Sequence, residues 1–65
     1  MQTAIASYTP NMFLGRNQNE FALTMLTDKD GKTAPLGDIR RFAVDSRGDG
    51  AAIAERLGIK ITNWS

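Results

Sequence analysis

The run from Asp49 to Leu57, closed by Gly58 and followed by Ile59-Lys60-Ile61-Thr62, constrains this chain more than any other stretch. Within it the apolar period changes from about 3.6 residues to about 2, the signature of a short helix running into a strand. Asp49 has the side chain of an N-cap, able to accept a backbone N–H of the first turn. Gly58 can take the left-handed conformation that ends a helix. Ile53, Leu57, Ile59 and Ile61 are then core positions. Ile59 and Ile61 face the helix, and Lys60, Thr62 and Trp64 lie on the opposite side of the strand.

The whole chain has 65 residues, enough for one domain spanning 1–65 and near the lower limit for folding without a disulfide or a metal. It has no cysteine, so neither staple is available through thiols. The core has to come from Ile5, Tyr8, Met12, Phe13, Leu14, Phe21, Leu23, Met25, Leu26, Leu36, Ile39, Phe42, Val44, Ile53, Leu57, Ile59, Ile61 and Trp64. So thin a core leaves about 3–5 kcal/mol of net stability. A folded state that marginal gains from association, which keeps a homodimer in view.

Eight Lys and Arg against seven Asp and Glu give a net charge of +1. That balance by itself argues for neither nucleic acid, a membrane surface nor an acidic mimic. Residues 1–8 have neither a basic start nor a long apolar run, so no secretory leader is expected. No stretch approaches the roughly 20 apolar residues of a membrane span. With cysteine absent as well, the expectation is a cytoplasmic protein without a membrane partner.

The charges are unevenly placed: none occurs from Met1 to Gly15, and all lie between Arg16 and Lys60. Gln2 to Tyr8 reads as a first strand, with Thr3, Ile5 and Ser7 on one face and Ala4, Ala6 and Tyr8 on the other. Thr9-Pro10-Asn11 punctuates it. Met12-Phe13-Leu14 is then an uncharged apolar island. Phe21 to Thr27 is the most strand-like segment, and Asp28-Lys29-Asp30-Gly31-Lys32 closes it with a turn in which Gly31 supplies a positive φ. Lys32 to Leu36 can pair back only briefly, because Pro35 lacks an N–H. Asp38 to Asp45 fits either a helix capped by Asp38 or a strand, and the ending Phe42-Ala43-Val44 before Asp45-Ser46-Arg47-Gly48 favours the strand. The predicted fold is α+β: a small, mostly antiparallel sheet of three to four strands, one short C-terminal helix packed on one face, and a final strand after the helix.

Chemistry is scarce. Without histidine and cysteine, the commonest general base, nucleophile and zinc ligands are missing, and triads built on them are excluded. No catalytic residue, metal ligand or cofactor site is expected, and the chain is read as non-enzymatic. Asp28-Lys29-Asp30-Gly31 departs from a calcium loop, because Lys32, Thr33 and Ile39 stand where the third acid, the turn glycine and the final Glu belong. Gly48-Asp49-Gly50 before a helix resembles a phosphate loop only in its glycines. Asp49 would put a negative charge where the phosphate sits, and no Lys-Ser or Lys-Thr follows. Arg47-Gly48-Asp49 spells an integrin-recognition tripeptide, but a capping carboxylate is not free for a receptor.

Two functional expectations follow. The first is a protein-binding module, a small inhibitor or adaptor of the kind encoded by phages or plasmids, that docks on a larger protein through Met12, Phe13, Leu14 and Trp64. Large uncharged side chains in a tiny protein are a usual mark of a partner surface, and free strand edges offer a second docking route. The alternative is a nucleic-acid-binding regulator using Arg40, Arg41, Arg47 and Lys60, with aromatic rings stacking on bases and cations tracking phosphates.

Overall fold

A computed structural model of the chain describes residues 1–10 and 18–65, so the Met12-Phe13-Leu14 island lies outside the described residues. Four strands and one helix follow in the order β1 (Gln2–Thr9), β2 (Asn19–Thr27), β3 (Ile39–Val44), α1 (Arg47–Arg56) and β4 (Ile59–Trp64). The strands form one sheet in the spatial order β3-β2-β1-β4. β1 pairs antiparallel with β2, and β2 antiparallel with β3, whereas β4 joins β1 in parallel. The α+β reading holds, and the segment that fitted helix or strand is the edge strand β3. It follows from these pairings that β3 and β4 run in the same direction at opposite edges. The chain therefore crosses the sheet between them, and α1 is that crossover, laid over one face. A parallel connection needs such a helix, because no tight turn can bring the chain back to the same end of the sheet.

Register sorts the side chains. Ala4, Ala6 and Tyr8 of β1 stand opposite Met25, Leu23 and Phe21 of β2, and Phe21 stands opposite Phe42 of β3. Ala4, Ala6 and Tyr8 share one face, as the alternation of β1 predicts, and it is the face that α1 covers; Ile5, expected in the core, is half-buried on the other face. Phe21 and Leu23 are fully buried, with Ala4, Ala6, Met25, Ala34, Val44, Ala54 and Ile59 around them, and Tyr8, Phe42, Ile53, Ile61 and Trp64 pack on the periphery. The core is thus built on alanines as much as on large side chains. Of the expected core residues, Leu26, Leu36, Ile39 and Leu57 are exposed instead. Leu36 stands beside Gly37, whose φ of +85° turns the chain at a loop tip. Leu57 is the residue that caps the C-terminal end of α1, where it leaves the sheet.

The alanines have a packing reason. α1 buries Gly50 and Ala54, and a Cβ added at Gly50 would overlap the ring of Phe21. A helix seats this close to a sheet only where its inner face is nearly bare backbone. Gly58, at φ +74°, ends α1 in the left-handed conformation as expected, and Gly31 takes φ +80° in the turn after β2. The N-terminus differs from expectation. Ser46, with extended backbone at φ −150° and ψ 167°, is the N-cap, and its Oγ accepts the N–H of Asp49 at 3.3 Å. Asp49 sits three residues further on, in the first turn, where its charge complements the helix dipole instead of capping it. The hydroxyl wins because Ser46 is the last extended residue, and only that residue has its side chain beside the free amides.

Two irregularities adjust the sheet. Between β1 and β2 the register jumps from Thr3 opposite Thr27 to Ala4 opposite Met25, so Leu26 is an extra residue. Thr3 locks this point: its N–H donates to Thr27 Oγ1 at 3.0 Å, and the two hydroxyls lie 2.6 Å apart. On its other side Leu26 accepts the N–H of Ala34, which ties the 28–38 loop to β2, while the expected return strand shrinks to a single bridge between Thr27 and Thr33. Between β1 and β4 the register jumps from Ala4 opposite Ile61 to Ile5 opposite Asn63, so Thr62 is extra. This corrects the placement of Trp64. Strict alternation puts Trp64 away from the helix, but the bulge at Thr62 returns it, opposite Ala6, to the face that α1 covers.

Candidate functional site

The four cations are placed on different parts of the molecule. Arg40 stands opposite Leu23 on the helix-covered face of β3, and Arg41 stands opposite Ala22 on the other face. Each has an ion-pair partner at 3.8 Å, Asp38 for Arg40 and Glu20 for Arg41. Both pairs are long and wet, of the kind that contributes about 0–1 kcal/mol. Lys60 stands opposite Thr3 on β4, at the other edge of the sheet. Arg47 opens α1 and lays its guanidinium 4.2 Å from the centroid of the Trp64 ring. The structure therefore does not gather Arg40, Arg41, Arg47 and Lys60 into one basic stripe.

Trp64, expected at a partner surface, is half-buried in an aromatic row. Its ring centroid lies 5.8 Å from that of Phe21, which in turn lies 6.3 Å from Phe42. The rings are tilted by 51° and 36°, within the range of centroid separations at which aromatic pairs attract. Arg47 closes one side of the row as a cation over the indole face. Met12, Phe13 and Leu14, the other members of that expected surface, lie outside the described residues.

Two further features were not read from the sequence as surfaces. Leu26, Leu36 and Ile39 are all exposed and belong to one end of the sheet. The N–H of Ala34 bonds Leu26, that of Met25 bonds the carbonyl of Asp38, and Ile39 stands opposite Thr24. Large apolar residues count as core by composition alone; the Pro35-Leu36-Gly37 triplet, two turn formers around one leucine, was the available signal for a loop tip. The second feature is a groove of about 280 Å³ between α1 and the end of β3, lined by Gln18, Ala43, Val44, Asp45, Asp49, Ala52, Ile53 and Arg56. It lies on the side of α1 away from Arg47 and Trp64.

The Asp28 carboxylate accepts the N–H groups of Asp30 and Lys32, each at 2.9 Å, so it serves its own turn. Among the described residues no three His, Cys, Asp or Glu side chains converge as metal ligands, and no helix is long and apolar enough to cross a membrane. Neither a protein-family model, nor a curated protein, nor a solved structure matches the chain.

Proposed function

We propose that the chain is a non-enzymatic protein-binding module, an inhibitor or adaptor that works by docking on a larger protein in the cytoplasm. One observation carries the reading: Leu26, Leu36 and Ile39 are left to solvent at one end of the sheet while alanines fill the core. A chain this short has few large apolar residues; Leu36, fully exposed, forgoes about 1.5–3 kcal/mol of burial, and Leu26 and Ile39, at 38% and 37% exposure, forgo a part of that. Burial against a partner recovers that free energy. The absence of histidine and cysteine supports the same reading by removing the usual catalytic groups.

The test is affinity capture from lysate of the native host, with the full chain as bait and Leu36→Asp and Ile39→Lys as matched baits. Leu36 is fully exposed, so Leu36→Asp keeps the wild-type circular dichroism and thermal midpoint; Ile39 is nearly two-thirds buried, so Ile39→Lys keeps the circular dichroism at a lower midpoint. A protein captured by wild type and lost from both variants supports the proposal. Capture of the same proteins by all three baits, or of none, defeats it. A parallel Phe13→Glu bait asks whether the uncharged front segment belongs to the same surface.

A further inference from the structure

Among the described residues, both outer strands of the sheet have an unpaired edge, and the two edges differ. β4 carries the bulge at Thr62, which kinks the strand and breaks the ladder that an added strand would need. β3 has no such defect. Its register with β2 runs unbroken from Asn19 opposite Val44 to Thr24 opposite Ile39, and it contains neither proline nor glycine. Among the described residues the charged guards on this edge are Arg40 and Arg41, which point to opposite faces.

We infer that the β3 edge pairs with the β3 edge of a second copy, antiparallel and centred on Phe42, to give a continuous eight-stranded sheet. A two-fold axis normal to the sheet keeps facing residues on the same face, so β3 must meet itself at a residue, not between two. Centring on Arg40 or Arg41 sets like charges directly opposite each other, which is unfavourable. Centring on Phe42 sets Phe42 against Phe42, Arg41 against Ala43 and Arg40 against Val44. No charge then meets its own kind directly across the edge; centring on Ala43 avoids this too, but it sets Arg40 against Ser46 instead of Val44, which lines the groove beside β3.

The groove beside β3 supports this register. Val44 forms part of its lining on the helix-covered face, and Asp45 and Asp49 bring two carboxylates to it against the single guanidinium of Arg56. Neither carboxylate has an ion pair among the described residues. The second copy's Arg40, opposite Val44 and on the same face, arrives at this groove, exchanging its wet 3.8 Å pair with Asp38 for Asp49. The symmetry repeats the contact, so the interface contains two such pairs.

The experiment is sedimentation equilibrium of the full chain from about 1 μM to about 1 mM, the range of weak self-association. Wild type should show a reversible monomer–dimer equilibrium. Arg40→Glu alone and Asp49→Arg alone should each raise its dissociation constant about tenfold, and the double variant should recover most of that loss. Ala43→Lys, at an exposed position facing the second copy's Arg41, should weaken the dimer similarly and leaves the core untouched. Circular dichroism confirms that each variant is folded. A wild-type chain that is monomeric throughout overturns the inference and leaves the β3 edge for a strand of another protein. A dimer indifferent to Ala43→Lys, or one that the double variant does not rescue, also overturns it. The docking surface is read out separately by Leu36→Asp, which lies outside β3; Ile39 belongs to β3 and in this register meets Asp45 of the second copy, so Ile39→Lys does not distinguish the two readings.

Discussion

At the scale of single residues, the position that sets the geometry of this protein is a glycine. Gly50 lies against Phe21, so the distance between helix and sheet is the thickness of one aromatic ring on a bare backbone. Gly48, two residues earlier on the same helix, meets nothing closer than Ser46 Oγ at 3.8 Å. The two glycines therefore respond oppositely to alanine. Gly48→Ala should stabilise by about 0.5 kcal/mol through the lower backbone entropy of the unfolded chain. Gly50→Ala gains the same entropy but forces its methyl into the Phe21 ring, a net loss of about 1–3 kcal/mol. Urea denaturation of the two variants beside wild type checks both signs. A Gly50→Ala protein as stable as wild type would mean that the helix sits further from the sheet than described. Ser46 makes a related point: the chain offers Asp49 as a plausible cap, but the hydroxyl three residues earlier holds the first amide because the backbone there is still extended.

At the scale of elements, β4 shows how a single extra residue changes what a strand presents. Ile59 and Ile61 face the helix as alternation demands, and the bulge at Thr62 brings Trp64 to the same face, against Phe21 and under Arg47. The consequence can be tested by deletion. Removing Thr62 leaves Ile61 opposite Ala4 and Asn63 opposite Ile5 with no irregularity between them, so the indole keeps its place. The shortened chain should fold with the same tryptophan emission maximum as wild type and a stability within about 1 kcal/mol, the cost of losing the weak bond from Thr62 Oγ1 to the Ala4 carbonyl. A red-shifted emission in the deletion variant would show that the bulge lies elsewhere in β4. β3 is the contrasting case. Its sequence satisfies both helix and strand patterns, and the free antiparallel edge of β2 decides between them by pairing it along six residues.

At the scale of the whole molecule, the crossover decides which surfaces are available. Among the described residues one helix covers one face, and the opposite face, both sheet edges and the apolar end at Leu36 have no element laid over them. The same topology scatters the cations: Arg41 and Lys60 stand at opposite edges, Arg40 faces the helix side, and Arg47 is held over Trp64. Nucleic-acid affinity should accordingly be weak even at about 50 mM salt and should fall only shallowly as salt rises, because few phosphates can be neutralised together. Fluorescence anisotropy with labelled single- and double-stranded oligonucleotides checks this. Tight binding with a steep salt slope would require a basic surface that these four residues do not form.

The sequence by itself determined what short-range physics controls: the strand alternation of β1 and β2, the turns at Gly31 and Gly58, the change of period from α1 to β4, and the α+β class. These depend on backbone sterics and on neighbours two to four residues apart, which are visible in the chain. Only the tertiary structure decided which apolar residues are core. Ala4, Ala6 and Ala54 are buried in the core under a helix that seats Gly50 against Phe21, while Leu36 and Leu57 are exposed at a loop tip and a helix end. The parallel pairing of β4 with β1 and the return of Trp64 to the helix face likewise depend on contacts between residues more than fifty positions apart. No local pattern encodes such contacts, because their free energy appears only when the two partners meet.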